Sequence, residues 1–484
     1  MKNIYAALAG ALLLFFGFSI ATAQIINREE ARQIAVVSAE RYCPSSKPDT
    51  AAFALTEGNR TLAWIFPLFP EGFIVISADH KATPVYAYAQ ENHFNPELQP
   101  WPALLNMIRR DLGARFDYYP ALPEKEKLEI SSAWEHIQQS AAKDSTFEVW
   151  PPAGSTTTGG WLETNWTQSS PYNNMCPMDL NAGARSIAGC PAVAMAQILN
   201  FLQNIKATRF GDADDYYHNY GTGNQFMIDD DYATWGFPSF DTLNKYLDTL
   251  ENYFQNKSPM TDNMKAALTF ACGTACTQVY TASGSGTFGV GQAAAAYQRF
   301  DYTNSRLVFS TDTSLSADLA WNMKNAYPAH LALVDPGETV GHNVVVDGYN
   351  TDDFFHFNFG WGGSSNGWYT MPPASMPYNL TVIEGVIMDI IPDSVQSSVT
   401  GESSQPHAVL YPNPANDYCV LQLNETVTHL MIVLRDLSGR IVFVRQYSQA
   451  SQATIPTEKL THGMYFLTVK QDTAPAYSLK LIKE

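Results

Sequence analysis

Two polar breaks divide this chain, and they constrain its folding more than any single motif. The first, from Gln138 to Gly160, reads QQSAAKDSTFEVWPPAGSTTTGG, and the second is DSVQSSVTGESSQPH. Both are rich in Ser, Thr, Gly and Pro and carry too little apolar surface to pack, so each predicts an exposed connection between separately folded units. The spacing therefore predicts folded units over 24–139, 161–392 and 408–484, with linkers at 140–160 and 393–407.

The first 23 residues stand outside this scheme. Lys2, an apolar run through Phe18, and Ala21 and Ala23 at the small-residue positions form a secretory signal peptide, which implies export into an oxidising compartment. No later apolar run is long enough to span a bilayer, so no membrane span is expected. The formal net charge of −18 argues against nucleic acid as a partner. Neither an HExxH nor a clustered CxxC pattern occurs, so the expectation is no metal and no cofactor. Six cysteines in 484 residues are too scattered for a disulfide scaffold, and Cys272 and Cys276, four apart, are expected as packed thiols rather than a bridge.

The outer units are legible as classes. In the first, NREEARQIAVVSAERY predicts a helix capped by Asn27 with Glu30 closing a capping box, followed by strands TLAWIFPL, GFIVISAD and PVYAYA and the helical WPALLNMIRRDLGARF. It offers no nucleophile with a base and reads as an α+β accessory domain. The last unit has strands YCVLQLN, LMIVLRD, IVFVRQY, GMYFLTVK and YSLKLIKE, the pattern of a small β-sandwich.

The chemistry lies between them. In SIAGCPAVAMAQILNFLQ, the residues from Ala192 to Leu202 have helical spacing without Gly or Pro, and Pro191 marks the helix start. Cys190 then sits at or beside the N-cap, where unpaired N–H groups and the helix dipole push a thiol towards the nucleophilic thiolate. Such a thiolate needs an imidazole. Of ten histidines, four lie in this unit. His218, in an acidic aromatic loop, and His330, before the apolar LALV, are expected to be structural. His342 follows Gly341 and opens the strand NVVVDGYN, and FFHFNFG returns after a tight turn. A hairpin centred on Asn350 would put Asn358 directly opposite His342, with His356 in the ladder at Val344 as a satisfied, partly buried histidine. Cys, His and Asn in that order are the arrangement of papain-like thiol proteases.

AGCPAVAMAQILNFLQ, GHNVVVDGYN, FHFNFGWGGSSNGWYTM and WTQSSPYNNMCP together resemble the streptopain family of cysteine peptidases. The resemblance covers about 161–392 and extends to the preceding unit, which resembles that family's inhibitory propeptide. It implies a papain-like catalytic domain, with Cys190 as nucleophile, His342 as general base and acid, Asn358 as orienter and Gln168 as oxyanion donor. Substrate-binding positions implied by it are Ser283 and Gly284 in YTASGSGTFGVGQ, Gly341, and Phe359 and Trp361, either of which would supply the aromatic cover that the family places after the asparagine. Its consequence would be a secreted endopeptidase made as a zymogen, acting on protein and peptide substrates, inhibited by its own propeptide and cut free within 140–160. The tail, from YPNPANDY to SLKLIKE, resembles the C-terminal sorting domain of type IX secretion, which makes the secretion machinery a partner and the exterior or cell surface the destination. The competing readings are a catalytically silent binding relative, a thiol transglutaminase or amidase, and, for the tail, an adhesion or carbohydrate-binding module.

Overall fold

The computed structural model describes residues 25–92, 94–98, 100–139, 147–221, 223–334, 341–391, 408–435, 441–471 and 477–483. The signal peptide, residues 140–146 of the first linker and all of 393–407 lie outside the described residues. The chain forms two compact units, Met1–Ser145 and Thr146–Glu484.

The first unit opens with helix Arg28–Tyr42. Asn27 Oδ1 accepts the N–H groups of Glu29 and Glu30 at 2.9 and 3.1 Å, and Glu30 Oε2 accepts the Asn27 N–H at 2.9 Å. The capping box is thus formed as expected, a feature worth about 1 kcal/mol. Strands Phe53–Glu57, Arg60–Phe69, Phe73–Ser77 and Val85–Ala89 pair antiparallel in chain order. The last two are buried at every position, which is why they read as apolar runs rather than alternating ones. Helices Trp101–Tyr118 and Glu124–Gln139 complete the unit. A buried Asp111 accepts from Arg115 at 2.6 Å and from Tyr86 at 2.8 Å, which ties the first of these helices to the sheet.

The second unit contains the α+β domain that carries the chemistry. Its helix Cys190–Leu202 is buried on every side from Pro191 to Leu199, not on one face alone. Three alanines and a valine in that span make this feasible, because small side chains let neighbouring elements approach from all directions. The helix packs between helix Asp262–Ala275 and an antiparallel sheet. The sheet runs, in spatial order, Arg306–Val308, Ile383–Met388, Ala329–Val334, Gly341–Asn350, Phe354–Asn358 and Gly367–Thr370. Cys272 and Cys276 are buried free thiols, as expected, and so are four further cysteines except that Cys190 keeps partial exposure.

The structure shortens the first linker. Val149 and Trp150 pair with Asn350 and Tyr349, the Trp161 N–H donates to the Asp347 carbonyl at 2.7 Å, and Gly160 is buried. Residues 147–160 therefore belong to the second unit. Val149 and Trp150 are half-buried and Pro151 is buried, while 152–155 and Thr157 are exposed as the composition predicted.

The C-terminal strands also differ from the expected five. YCVLQLN and LMIVLRD are one strand, Tyr418–Arg435, with a register break between Gln422 and Val427, and a short strand Ala408–Tyr411 precedes it. Ile441–Pro456, Gly463–Gln471 and Tyr477–Lys483 follow. Leu421 and Ile455 on one side of the break and Ile432, Leu467 and Leu481 on the other share one buried cluster, the sandwich core.

Candidate active site

Cys190 is the first residue of its helix, behind Gly189 with φ 86°. That conformation favours glycine, and space demands it as well, because a Cβ there would lie 2.7 Å from Gln278 Oε1. Gln278 is itself buried and donates to the Ala188 carbonyl at 2.7 Å, so it braces the chain directly before the cysteine. On the other side the Ala188 N–H donates to the Gln168 carbonyl at 2.8 Å. This bond lays Gln168 beside the cysteine turn, half-buried and with no hydrogen bond from its own amide among the described residues.

The helix start does not by itself charge the thiol. Burial pushes Cys190 up, opposed by hydrogen bonds from the backbone and side chain of Asn343 and from its own backbone N–H. The Asn343 Nδ2 approaches the sulfur to 3.8 Å. The push towards thiolate expected at the helix start is thus opposed by burial.

His342 lies next to Asn343, on the strand that crosses behind the cysteine helix, opposite Leu333. Its Nε2 meets the Phe359 carbonyl at 2.8 Å. It is 5 % exposed, and burial draws its pKa down to about 4. Trp361 stacks on the ring at 4.4 Å between centroids, with Phe359 parallel but farther, at 6.0 Å. Trp361 is therefore the cover over the imidazole. Phe359 is 1 % exposed and lies behind it, which corrects the expectation that its side chain meets substrate. No hydrogen bond joins Cys190 and His342 in this resting geometry, as is common before substrate binds.

Asn358 is not opposite His342. The register pairs it with Val345, and a bulge at Asp347 places His356 opposite Gly348 rather than Val344. Its carboxamide donates to the Thr164 carbonyl at 2.7 Å and accepts from the Gly360 N–H at 3.0 Å and from Gln197 Nε2 at 3.3 Å. It clamps the turn that carries Phe359 instead of touching the imidazole. His356 is a satisfied histidine, fully rather than partly buried, with Nδ1 2.6 Å from Asp347 Oδ1. The same carboxylate accepts the Leu162 N–H at 2.9 Å.

The loop that holds Ser283 and Gly284 is folded around Thr281, whose hydroxyl accepts the Gly284 N–H at 2.9 Å. The Thr281 carbonyl accepts the Ile187 N–H at 3.1 Å, and a Cβ on Gly286 would touch Pro191 at 3.9 Å. Both contacts bring the loop to the start of the cysteine helix. Gly341 is the exposed first residue of the histidine strand, opposite Val334.

Sequence reasoning passed over Asn343, Gln197 and Gln278. Two of them had a signal: Gln197 is the one polar residue inside AVAMAQIL, and Asn343 precedes the apolar run that starts at Val344. A polar side chain in such a setting needs a buried partner.

Residues 166–369 match the model of the Peptidase C10 family, and 409–484 match a secretion system C-terminal sorting domain. The chain is 26% identical over 400 residues to the thiol protease/hemagglutinin PrtT of Porphyromonas gingivalis, a match that covers 76% of this chain and 41% of that protein. It thus spans about two fifths of the relative's length. Two solved structures from Prevotella intermedia are also similar. A prointerpain A fragment has 20% identity and a TM-score of 0.47, covering 70% of this chain and 99% of that one. Active interpain A has 23% identity and a TM-score of 0.36, covering 48% and 94%.

Proposed function

From the premise that the chain carries a Peptidase C10, or streptopain-family, domain and a secretion-system sorting domain, we propose that it is an exported cysteine endopeptidase made as a zymogen. The observation that carries this reading is the His342 tautomer. A carbonyl oxygen only accepts, so the 2.8 Å contact with Phe359 requires the proton on Nε2. Nδ1 then holds the lone pair, with no partner among the described residues, and a ring held near 4 is neutral at physiological pH. It is ready to receive a proton.

The chemistry follows from that state. The Cys190 S–H proton passes to His342 Nδ1 as the sulfur attacks the scissile carbonyl carbon. The tetrahedral oxyanion is met by the Cys190 backbone N–H and the Gln168 amide. The C–N bond then breaks, and the imidazolium gives its proton to the departing amine. Water, deprotonated by the same Nδ1, hydrolyses the thioester and restores the thiol. The Phe359 carbonyl holds the ring through both halves, the part given to an asparagine side chain in papain-like enzymes, and Trp361 shields that contact from water. Ser283, Gly284 and Gly341 border the approach for a peptide backbone.

The N-terminal unit is the inhibitory segment of this reading, removed by a cut within 140–146. The chain is helical up to Gln139, and from Glu148, whose N–H donates to Thr351 at 3.1 Å, it is bonded into the second unit. The sorting domain directs the protein to the exterior or cell surface. Alkylation with iodoacetamide followed by peptide mapping tests the site. Cys190 should be modified at least tenfold faster than the five buried cysteines, and the preference should vanish in His342→Ala. Equal labelling of Cys190 in both proteins would refute the assigned pair.

A further inference from the structure

Behind Cys190 runs a buried file of polar groups that the peptidase reading leaves unused. Asn343 Nδ2 points to the Cys190 sulfur at 3.8 Å, Asn343 Oδ1 lies 2.7 Å from His330 Nε2, and His330 Nδ1 lies 3.2 Å from the Tyr297 hydroxyl. His330 and Tyr297 are fully buried. They come from strand Ala329–Val334 and helix Val290–Arg299, so three separate elements build the file, and Asn343, on strand Gly341–Asn350, is its end at the sulfur.

We propose that Asn343 is a further residue of the reaction, an amide that donates to the Cys190 sulfur once it is charged, and that His330 and Tyr297 are positioning residues that hold it in the donating orientation. The inference rests on the assignment of Cys190 as the nucleophile.

The donor directions leave a consistent solution. A thiolate only accepts, so the amide must present its NH2 to it and its carbonyl to His330. That carbonyl needs a donor, so His330 carries its proton on Nε2. Nδ1 is then an acceptor, and the Tyr297 O–H donates to it. Each group is locked by the next. Burial keeps His330 neutral by drawing its pKa down to about 4, so the ring holds one tautomer across the working pH range. The cost of burying an imidazole and a phenol so deeply is offset by their being fully bonded. The titratable groups around the sulfur among the described residues are Cys276, from the end of helix Asp262–Ala275, and His342 and His330 from the sheet. None of them is a permanent cation, so the thiolate depends on neutral donors and on the proton that His342 takes up. Removing a donor to the charged form raises the pH at which that form appears.

The test is the pH dependence of Cys190 alkylation by iodoacetamide in the matured chain, cut free of the N-terminal unit, compared across wild type, Asn343→Leu, Asn343→Asp and Tyr297→Phe. Asn343→Leu should move the midpoint up by about one pH unit, a roughly tenfold slower rate at a fixed pH on the rising limb. Asn343→Asp should move it further, because a carboxylate repels the thiolate, and Tyr297→Phe should move it in the same direction by a smaller amount. Tyr297→Phe removes one oxygen atom and keeps the test alive if the substitutions at 343 fail to fold. Profiles in the folded variants that superimpose on wild type, or shift down, overturn this inference while leaving the peptidase intact. A wild-type chain with no preferential labelling of Cys190 overturns the peptidase reading, and this inference with it.

Discussion

His342 meets a carbonyl oxygen, and in the proposed reaction that one contact decides which ring nitrogen is the base. Asn358, the residue that the chain order offered for this task, instead fills a cage of Thr164, Gln197 and Gly360. Asn358→Ala would strip that cage of its partner and leave buried donors and acceptors unsatisfied. The expected cost is about 1–3 kcal/mol of folding stability, read from a denaturant midpoint, with the pH midpoint of Cys190 alkylation unchanged. A stable variant with a displaced pH profile would mean that Asn358 acts on the imidazole after all. Cys190 and His342 were marked in the sequence by their neighbours, Gly189, Pro191 and Gly341, which carry local signals of turn and strand start. Asn343 and the Phe359 carbonyl were not. The first depends on a diagonal contact across strands, and the second is a backbone atom, which has no identity in a sequence.

Among the elements, the histidine hairpin is where sequence reasoning lost its way. The turn at Thr351 to Asp353 sits beyond the presumed centre, and Asp347 bulges out to reach His356 and Leu162. A bulge is invisible to a period-two pattern, and a slip changes every partner in the ladder. Carried three residues outward from the Val345 and Asn358 pair, the observed register brings Trp361 to His342, which is where it stacks. The cysteine helix was easier, since alanine content, a proline at its start and a glycine before it all agree. Gly189→Ala should show how tightly that start is held. The added Cβ meets the Gln278 amide at 2.7 Å in a backbone region that L residues rarely adopt. The expected cost is about 1–3 kcal/mol, with peptide hydrolysis falling more than tenfold because Cys190 moves with its turn. A variant as stable and active as wild type would show that the turn is soft.

At the scale of the whole molecule, the chain forms two compact units that part within the first polar break, which is shorter than its composition implied, and the second break lies outside the described residues. The sorting domain meets the catalytic part through polar contacts. Arg435 lies over the Trp321 ring at 5.1 Å and 3.8 Å from Asp389, and Lys470 donates to Asn325 at 3.4 Å. Contacts of this kind are individually weak, and the catalytic core closes without them. The tail keeps the expected number of strands but not their bounds, because its long strand continues through a register break that looks like a turn. The central claim is that Cys190 breaks peptide bonds. The most direct measurement is mass spectrometry of an unfolded protein substrate incubated with the matured wild-type chain and with Cys190→Ala. New substrate termini formed by addition of water should accumulate with wild type and fall by several orders of magnitude with the variant. Equal cleavage by both, or wild-type products that are crosslinked rather than hydrolysed, would contradict the account.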